Sequence, residues 1–334
     1  MKFSWITSTT ALAVLMAVSG SATPGLAKDI TVGLSWNSKT QPLESAWEDY
    51  MKKEGERQGK AAGVNITWVI NGAIADPARQ AANIEDLINK GVNVVIARAE
   101  DGAAIGASIR AAKAANIPFI TFDRASKDVK PTAHVGGDSY DQAITTATTF
   151  MDLLKSKGVT GKCIELQGAL TDVNAINRSK GWNEIVAKSG GVLSTVVQVP
   201  TEWNPELFRS GMANALKANP DANCAFIASD FAITAVQSAM EEAGKWAPTG
   251  GAKHMWLATQ DMVPGAVPLM DQGYIDVATT YDAFAHSSEA VRVIIAIAED
   301  KDPGCGPDGC LAKGRVATPA NVKTMENLWS REYK

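Results

Sequence analysis

Two acids in this chain close short apolar runs in the same way. Thr121-Phe122-Asp123-Arg124 ends one run and Thr259-Gln260-Asp261 ends another. The run before each behaves alike: Val94-Val95-Ile96-Ala97 leads into Arg98-Ala99-Glu100-Asp101, and Ala225-Phe226-Ile227-Ala228 into Ser229-Asp230. With Arg178, these positions supply carboxylates, which accept hydroxyl hydrogens, and guanidinium groups, which are planar forked donors. Trp36, Trp203 and Tyr281 offer rigid rings that can cover a C–H face. Together they suit a neutral solute rich in hydroxyls, a sugar or polyol. Plainer readings compete: Asp230 and Asp261 as helix caps, Asp123–Arg124 as a surface ion pair, Trp203 as core packing. The agreement in position between the two halves favours binding.

Catalytic patterns do not stand up. No glycine-rich phosphate loop with a following lysine and no glycine fingerprint after the first strand occurs in the sequence. His134, His254 and His286 lie in separate segments without a second ligand at metal spacing, and each reads as a surface or loop histidine. Asp282, His286 and Ser287 lack the glycines of a nucleophile elbow. An enzyme, a metal and a cofactor are all unexpected.

The elements that must position the strand-end residues alternate regularly. Strands are expected at Ile30–Trp36, Asn65–Asn71, Val92–Arg98 and Pro118–Asp123, with helices at Leu43–Ala62, Pro77–Lys90 and Gly102–Ala115. Glu44 and Trp47 fall on the first of these helices, Glu44 as a first-turn acid. The order repeats with strands at Lys162–Gln167, Leu193–Val199, Ala222–Ser229 and His254–Gln260, and helices at Asn174–Lys188, Pro205–Ala218 and Ala232–Gly244. A helix over Val263–Asp271, a strand over Ile275–Thr280 and a helix over Ala283–Glu299 follow. Near-continuous apolar strands alternating with helices predict parallel sheets covered on both faces. Ligands of such sheets bind beyond the carboxyl ends of the strands, so two facing sheets would share one cleft. The chain would cross between domains at Lys127–Gly137 and around Tyr281–Asp282.

The 334 residues are 46% hydrophobic and 20% charged, with a formal net charge of −4, which fits two globular domains and lacks the basic excess of a nucleic-acid binder. Lys2, the apolar run Ala11–Val18 and the small residues through Ala27 read as an export signal cleaved after Ala27. The mature protein is therefore expected to be soluble and exported. Cys305 and Cys310, in a loop rich in glycine and proline, are expected to form a disulfide. Cys163 and Cys224 lie inside apolar runs and read as buried free thiols in preference to a bonded pair.

Ile30–Ser35, Asn116-Ile117-Pro118-Phe119-Ile120-Thr121-Phe122-Asp123-Arg124, and Ile164-Glu165-Leu166-Gln167-Gly168 with Arg178-Ser179-Lys180-Gly181-Trp182 resemble periplasmic sugar-binding proteins of ABC importers, of the ribose-binding-like type. The similarity runs over nearly the whole mature chain. It implies an α/β fold of two doubly wound parallel-sheet domains joined by a three-crossover hinge, the type I periplasmic binding protein fold. The implied organisation is a signal peptide over 1–27, one lobe over 28–136 plus about 282–312, and a second over 137–281 plus a tail of about 313–334. Implied ligand contacts are Asp123 and Arg124, an arginine near Asn174–Arg178 (hence Asn177 and Arg178), Trp203, Ser229–Asp230, Asp261 and Tyr281. Gln41-Pro42-Leu43-Glu44 stands where ribose binders carry Asn-Pro and two phenylalanines, which removes one aromatic wall and adds a carboxylate. Tyr281 stands where an amide is common. The expected binding set is therefore Trp36, Gln41, Glu44, Arg98, Asp123, Arg124, Asn177, Arg178, Trp203, Asp230, Asp261 and Tyr281. The implied function is periplasmic capture of a monosaccharide or polyol by a monomer and delivery to the membrane subunits of an ABC permease. Presentation of a sugar to a chemoreceptor or sensor kinase is the alternative.

Overall fold

The computed structural model describes Met1 and residues 27–40, 42–326 and 328–332, so the expected export signal lies almost wholly outside the described residues. The first part of the chain forms β1 (Lys28–Trp36), α1 (Pro42–Ala62), β2 (Val64–Gly72), α2 (Pro77–Asn89), β3 (Val94–Ala97), α3 (Ile105–Ala114), β4 (Phe119–Phe122) and β5 (Ala133–Gly137). The second forms α4 (Ser139–Ser156), β6 (Gly161–Gln167), α5 (Val173–Lys188), β7 (Leu193–Pro200), α6 (Pro205–Ala218), β8 (Cys224–Ile227), α7 (Ile233–Glu242), β9 (Trp256–Asp261), α8 (Ala266–Asp271) and β10 (Val277–Thr280). Then come α9 (Ala283–Ala298), β11 (Cys310–Ala312), β12 (Val316–Ala317) and α10 (Trp329–Glu332).

The strands make two six-stranded sheets of matching order, β2-β1-β3-β4-β5-β11 and β7-β6-β8-β9-β10-β12. Among these described strands only β12 runs antiparallel to its neighbour. Both faces of each sheet carry helices, which is why β3, β4, β8 and β10 are buried at every residue. In the first lobe, α1 and α9 pack on one face around Val32, Leu34 and Ile120, while Ile84, Leu87, Ile105 and Ile109 of α2 and α3 cover the other. In the second, Phe208 and Met212 of α6 and Val236 of α7 cover one face, and Phe150 of α4 and Trp182 of α5 the other. Asp76 caps α2 through Oδ1, which accepts Ala78 N–H and Arg79 N–H at 2.9 and 3.1 Å, with Pro77 opening the helix.

The chain crosses between lobes after β5, after β10 and between β11 and β12. Two features differ from the sequence reading. Ala133–Gly137, expected as part of a crossing, is the strand β5, and the long helix α4 had no counterpart. His134, Gly136 and Gly137 interrupt the apolar run of β5, and four threonines of α4 (Thr145, Thr146, Thr148, Thr149) blur its helical periodicity. The tail also divides: Val322, Met325 and Leu328 pack into the second lobe, whereas Trp329 joins the core of the first.

Both cysteine pairs are disulfides. Cys305–Cys310 follows expectation, but Cys163–Cys224 corrects the reading of free thiols. Cys163 of β6 lies directly opposite Cys224 of the adjacent strand β8, with Cα atoms 4.4 Å apart, a register that the linear sequence does not display.

Candidate functional site

Strand register delivers the polar residues to one level. Ser35 of β1 pairs with Ala97 of β3, and Ala97 with Thr121 of β4, so Arg98 and Asp123 emerge side by side. In the second lobe Ile227 of β8 pairs with Thr259 of β9, and Asp261 with Thr280 of β10, which sets Ser229, Asp261 and Tyr281 together. The two ends face each other around a narrow cavity of about 40 Å³ lined by Leu43, Trp47, Arg98, Asp123, Arg124, Asp172, Asn174, Arg178, Trp203, Ser229, Phe231, Asp261 and Tyr281.

The two acids share an unusual backbone. Asp123 has φ 61° and Asp261 φ 91°, in the left-handed region that non-glycine residues seldom adopt. Such conformations cost roughly 1–3 kcal/mol each and gather at functional sites. Here they turn each carboxylate out of its strand and into the cleft.

Each acid is held by an arginine of its own lobe. Arg98 Nε donates to Asp123 Oδ2 at 2.5 Å, and Arg178 grips Asp261 with Nη2 and Nη1 at 2.7 and 3.2 Å. Tyr281 Oη donates to Asp123 Oδ1 at 2.5 Å, Asn174 Nδ2 donates to the same oxygen at 3.0 Å, and Ser229 Oγ donates to Asp261 Oδ2 at 2.5 Å. Burial alone would raise the Asp123 pKa. The Arg98 and Arg124 charges and the Tyr281 bond outweigh burial and hold it at about 2. Burial, with Asp123 beside it, pushes the Tyr281 phenol well above its usual value, so the phenol stays a donor. With about four acceptor positions per carboxylate, three protein donors leave each acid about one for a ligand hydroxyl. Trp47 Nε1 and Arg178 Nε are buried with no partner among the described residues, and are free to donate.

Aromatic surface comes from both lobes. Trp47 stands edge-on to Phe122 and Tyr281, with the Arg98 guanidinium 5.4 Å from its ring centre. Trp203 faces Phe208 and Phe231 and donates from Nε1 to Asp172 Oδ2 at 2.9 Å. Gly168 is needed here, because a Cβ on it would lie 2.0 Å from the Trp203 indole.

Of the expected set, Arg98, Asp123, Arg124, Arg178, Trp203, Asp261 and Tyr281 line the cavity. Trp36 does not: its ring stacks behind Trp47 at 6.3 Å and its Nε1 donates to Glu48, because its side of β1 faces α1. Glu44 accepts from Arg98 Nη1 at 2.9 Å and from Ser38 Oγ at 3.1 Å, bracing the arginine from behind the wall. Asn177 lies on a separate cavity beside Tyr140 and Lys180; Asn174 and Arg178, four apart on α5, share the cleft-facing side. Asp230 is fully buried, accepting from Thr259 Oγ1 at 3.0 Å and from the Met262 and Val263 N–H groups at 3.0 and 2.9 Å. It braces the turn after β9; burial first, then nearby Asp261, raises its pKa to about 8. Gln41 lies outside the described residues. The histidines also depart from expectation: His286 is buried against Trp47 and Tyr281, His134 bonds Thr121, and His254 bonds Asp276.

Leu43, Trp47, Asp172, Asn174 and Phe231 went unread as site residues. Leu43 and Trp47 at i, i+4 on α1, and Asn174 one turn before Arg178, were available signals. Asp172 looks like an ordinary cap in sequence, and it does cap α5.

Residues 40–302 match the family described as the periplasmic binding protein domain. The ribose import binding protein of Escherichia coli strain K12 is 27% identical over 239 residues, 72% of this chain and 76% of that protein. A solved ABC transporter solute binding protein from Bacillus halodurans, with bound myo-inositol, has a TM-score of 0.78 at 22% identity, covering 92% of this chain and 100% of that one. Another from Mycobacterium smegmatis, with bound glycerol, has a TM-score of 0.78 at 20% identity, covering 90% and 99%. The implied fold, two doubly wound α/β lobes of the type I kind, is the fold of these structures. With the match running from just before α1 to beyond α9, the chain belongs to the periplasmic binding protein family, whose members bind solutes and do not catalyse reactions.

Proposed function

We propose that this chain captures a neutral sugar or polyol between its lobes by hinge closure and hands it to an ABC permease from the periplasm. Family membership implies an extracytoplasmic location. The lobes in this reading are 28–136 with about 282–312, and 137–281 with about 313–334, Trp329 reaching back to the first. The observation that carries the reading is the facing pair Asp123 and Asp261, both in left-handed backbone, each clamped by its own arginine with about one acceptor to spare. A ligand touching both acids binds only the closed form and so selects it. Arg98, Arg124 and Arg178 are each paired with a protein carboxylate, which leaves no unmatched cation for an acidic ligand among the described residues of the cleft. Relatives named for ribose, xylitol and apiose support a small polyhydroxylated ligand.

The test is a thermal-shift screen of D-ribose, xylitol, myo-inositol, D-allose, glycerol and sugar acids. A ligand at a hundred times its Kd stabilises by about 2.7 kcal/mol. A neutral compound should raise Tm, and Asp123→Ala and Asp261→Ala should each abolish that shift. If both variants keep the full shift, the site is elsewhere.

A further inference from the structure

Asp172, at the start of α5, serves three neighbours with one carboxylate. Its Oδ1 accepts the Asn174 N–H at 2.9 Å and caps the helix. Its Oδ2 accepts the Trp203 indole N–H at 2.9 Å and lies 3.0 Å from Arg124 Nε. Trp203 belongs to the second lobe and Arg124 to the first, so this oxygen joins an aromatic wall to a cation across the cleft. Both ion-pair side chains are enclosed, Arg124 at 9% exposure and Asp172 at 3%. Two residues on, Asn174 Nδ2 donates to the Asp123 carbonyl and to Asp123 Oδ1, each at 3.0 Å, again from one lobe to the other. These contacts are all between protein groups.

We propose that Asp172 is a latch: it ties the Trp203 wall to Arg124 and draws the lobes together before a ligand arrives. Opening the cleft separates the pair and returns both charges to water. Closing it buries them with Asp172 as the nearer carboxylate at 3.0 Å, while Glu100 of Arg124's own lobe lies farther off at 3.8 Å. A buried charge whose partner has been removed is strongly disfavoured, but the same charge in the open form is solvated. Loss of either partner therefore acts against the closed form alone. Closure supplied in this way reduces what ligand contacts must add, since a ligand shifts the equilibrium only by its preference for one state.

The test needs no sugar, so it stands or falls separately from the proposed ligand class. The mature full chain, freed of bound solute by unfolding and refolding with its disulfides intact, is measured by small-angle X-ray scattering. Asp172→Asn keeps an acceptor for the helix cap while removing the charge, and Arg124→Gln removes the other partner. Each single change should lower the closed-to-open ratio at least about tenfold and enlarge the radius of gyration. The double change, which leaves no unpaired charge to bury, should enlarge it by less than the two singles added together. Thermal midpoints read alongside separate this from a merely structural role, which would lower Tm without changing the radius. Ligand-free wild type as expanded as Asp172→Asn, or an Asp172→Asn protein as compact as wild type, overturns the proposal, and so do additive single effects. If Asp172→Asn does not fold, Arg124→Gln carries the same comparison.

Discussion

His286 shows how much of the site rests on groups that never meet solvent. It lies on α9 with Tyr281 and Trp47 rings at 4.4 and 6.2 Å, and is 1% exposed. Burial lowers its pKa from 6.5 to about 4; the carboxylates of Asp123 and Asp282 oppose the shift, and His134 and Arg178 add to it. The sign follows from linkage. Between these values the unfolded chain binds a proton that the folded chain refuses, so stability is full above about pH 6.5 and falls as pH drops towards 4. The difference corresponds to about 3 kcal/mol. Replacing the imidazole by an apolar side chain, His286→Leu, should remove that share of the acid sensitivity. Denaturant unfolding at pH 7 and pH 4 reads it: the loss on acidification should shrink by about 3 kcal/mol, and an unchanged loss would place the titration on other groups. In sequence this histidine read as a surface or loop residue: the resemblance returns 282–312 to the first lobe, but nothing in the residues around it announces that His286 packs on Trp47 and Tyr281.

Elements were the most legible level. The strands whose carboxyl ends feed the cleft, β1, β3, β4, β8, β9 and β10, lie close to where their apolar runs predicted them, because a strand covered on both faces is largely apolar. What sequence could not supply was lateral order, and the cysteines show the consequence. Cys163 and Cys224 are 61 residues apart, yet β6 and β8 are neighbours and place them opposite each other. A crosslink that closes a long loop restrains the unfolded chain more than one that closes a short loop. Converting Cys163 and Cys224 together to alanine should therefore cost about 4 kcal/mol. The same change at Cys305 and Cys310, only five residues apart, should cost about 2 kcal/mol. Equilibrium unfolding of the two double variants orders them, and a larger loss from the short loop would contradict this account. The same blindness to lateral order hid Asp172 and Asn174: their partners come from two other loops, Asp123 and Arg124 after β4 and Trp203 after β7.

At the scale of the whole molecule, the proposed hinge closure requires the three crossings to bend together. They are knitted by Asp138 N–H to Ala312 O at 2.9 Å, Thr280 N–H to Arg315 O at 2.9 Å and Gln142 Nε2 to Thr280 O at 2.8 Å. Tyr281 sits where this hinge meets the site, with its Oη accepting the Gly137 N–H at 3.2 Å and donating to Asp123. The ring lies so near the first crossing that a Cβ on Gly137 would be 2.1 Å from Tyr281 Cε2. Gly137 is thus a glycine because hinge strand and binding residue touch there, and neither the Gly136-Gly137 pair nor Tyr281 discloses this in the linear sequence. Gly137→Ala must push the phenol away, which strips Asp123 of a donor and loosens the crossing at once. The expected cost is about 1–3 kcal/mol in stability, typical of an overpacked site. The sugar-induced rise in Tm should also shrink, because Asp123 would no longer be held towards the cleft. Thermal unfolding with and without the active sugar measures both quantities on one sample. A Gly137→Ala protein with wild-type stability and an undiminished shift would mean that the ring can retreat freely, and that the hinge does not set the position of Asp123.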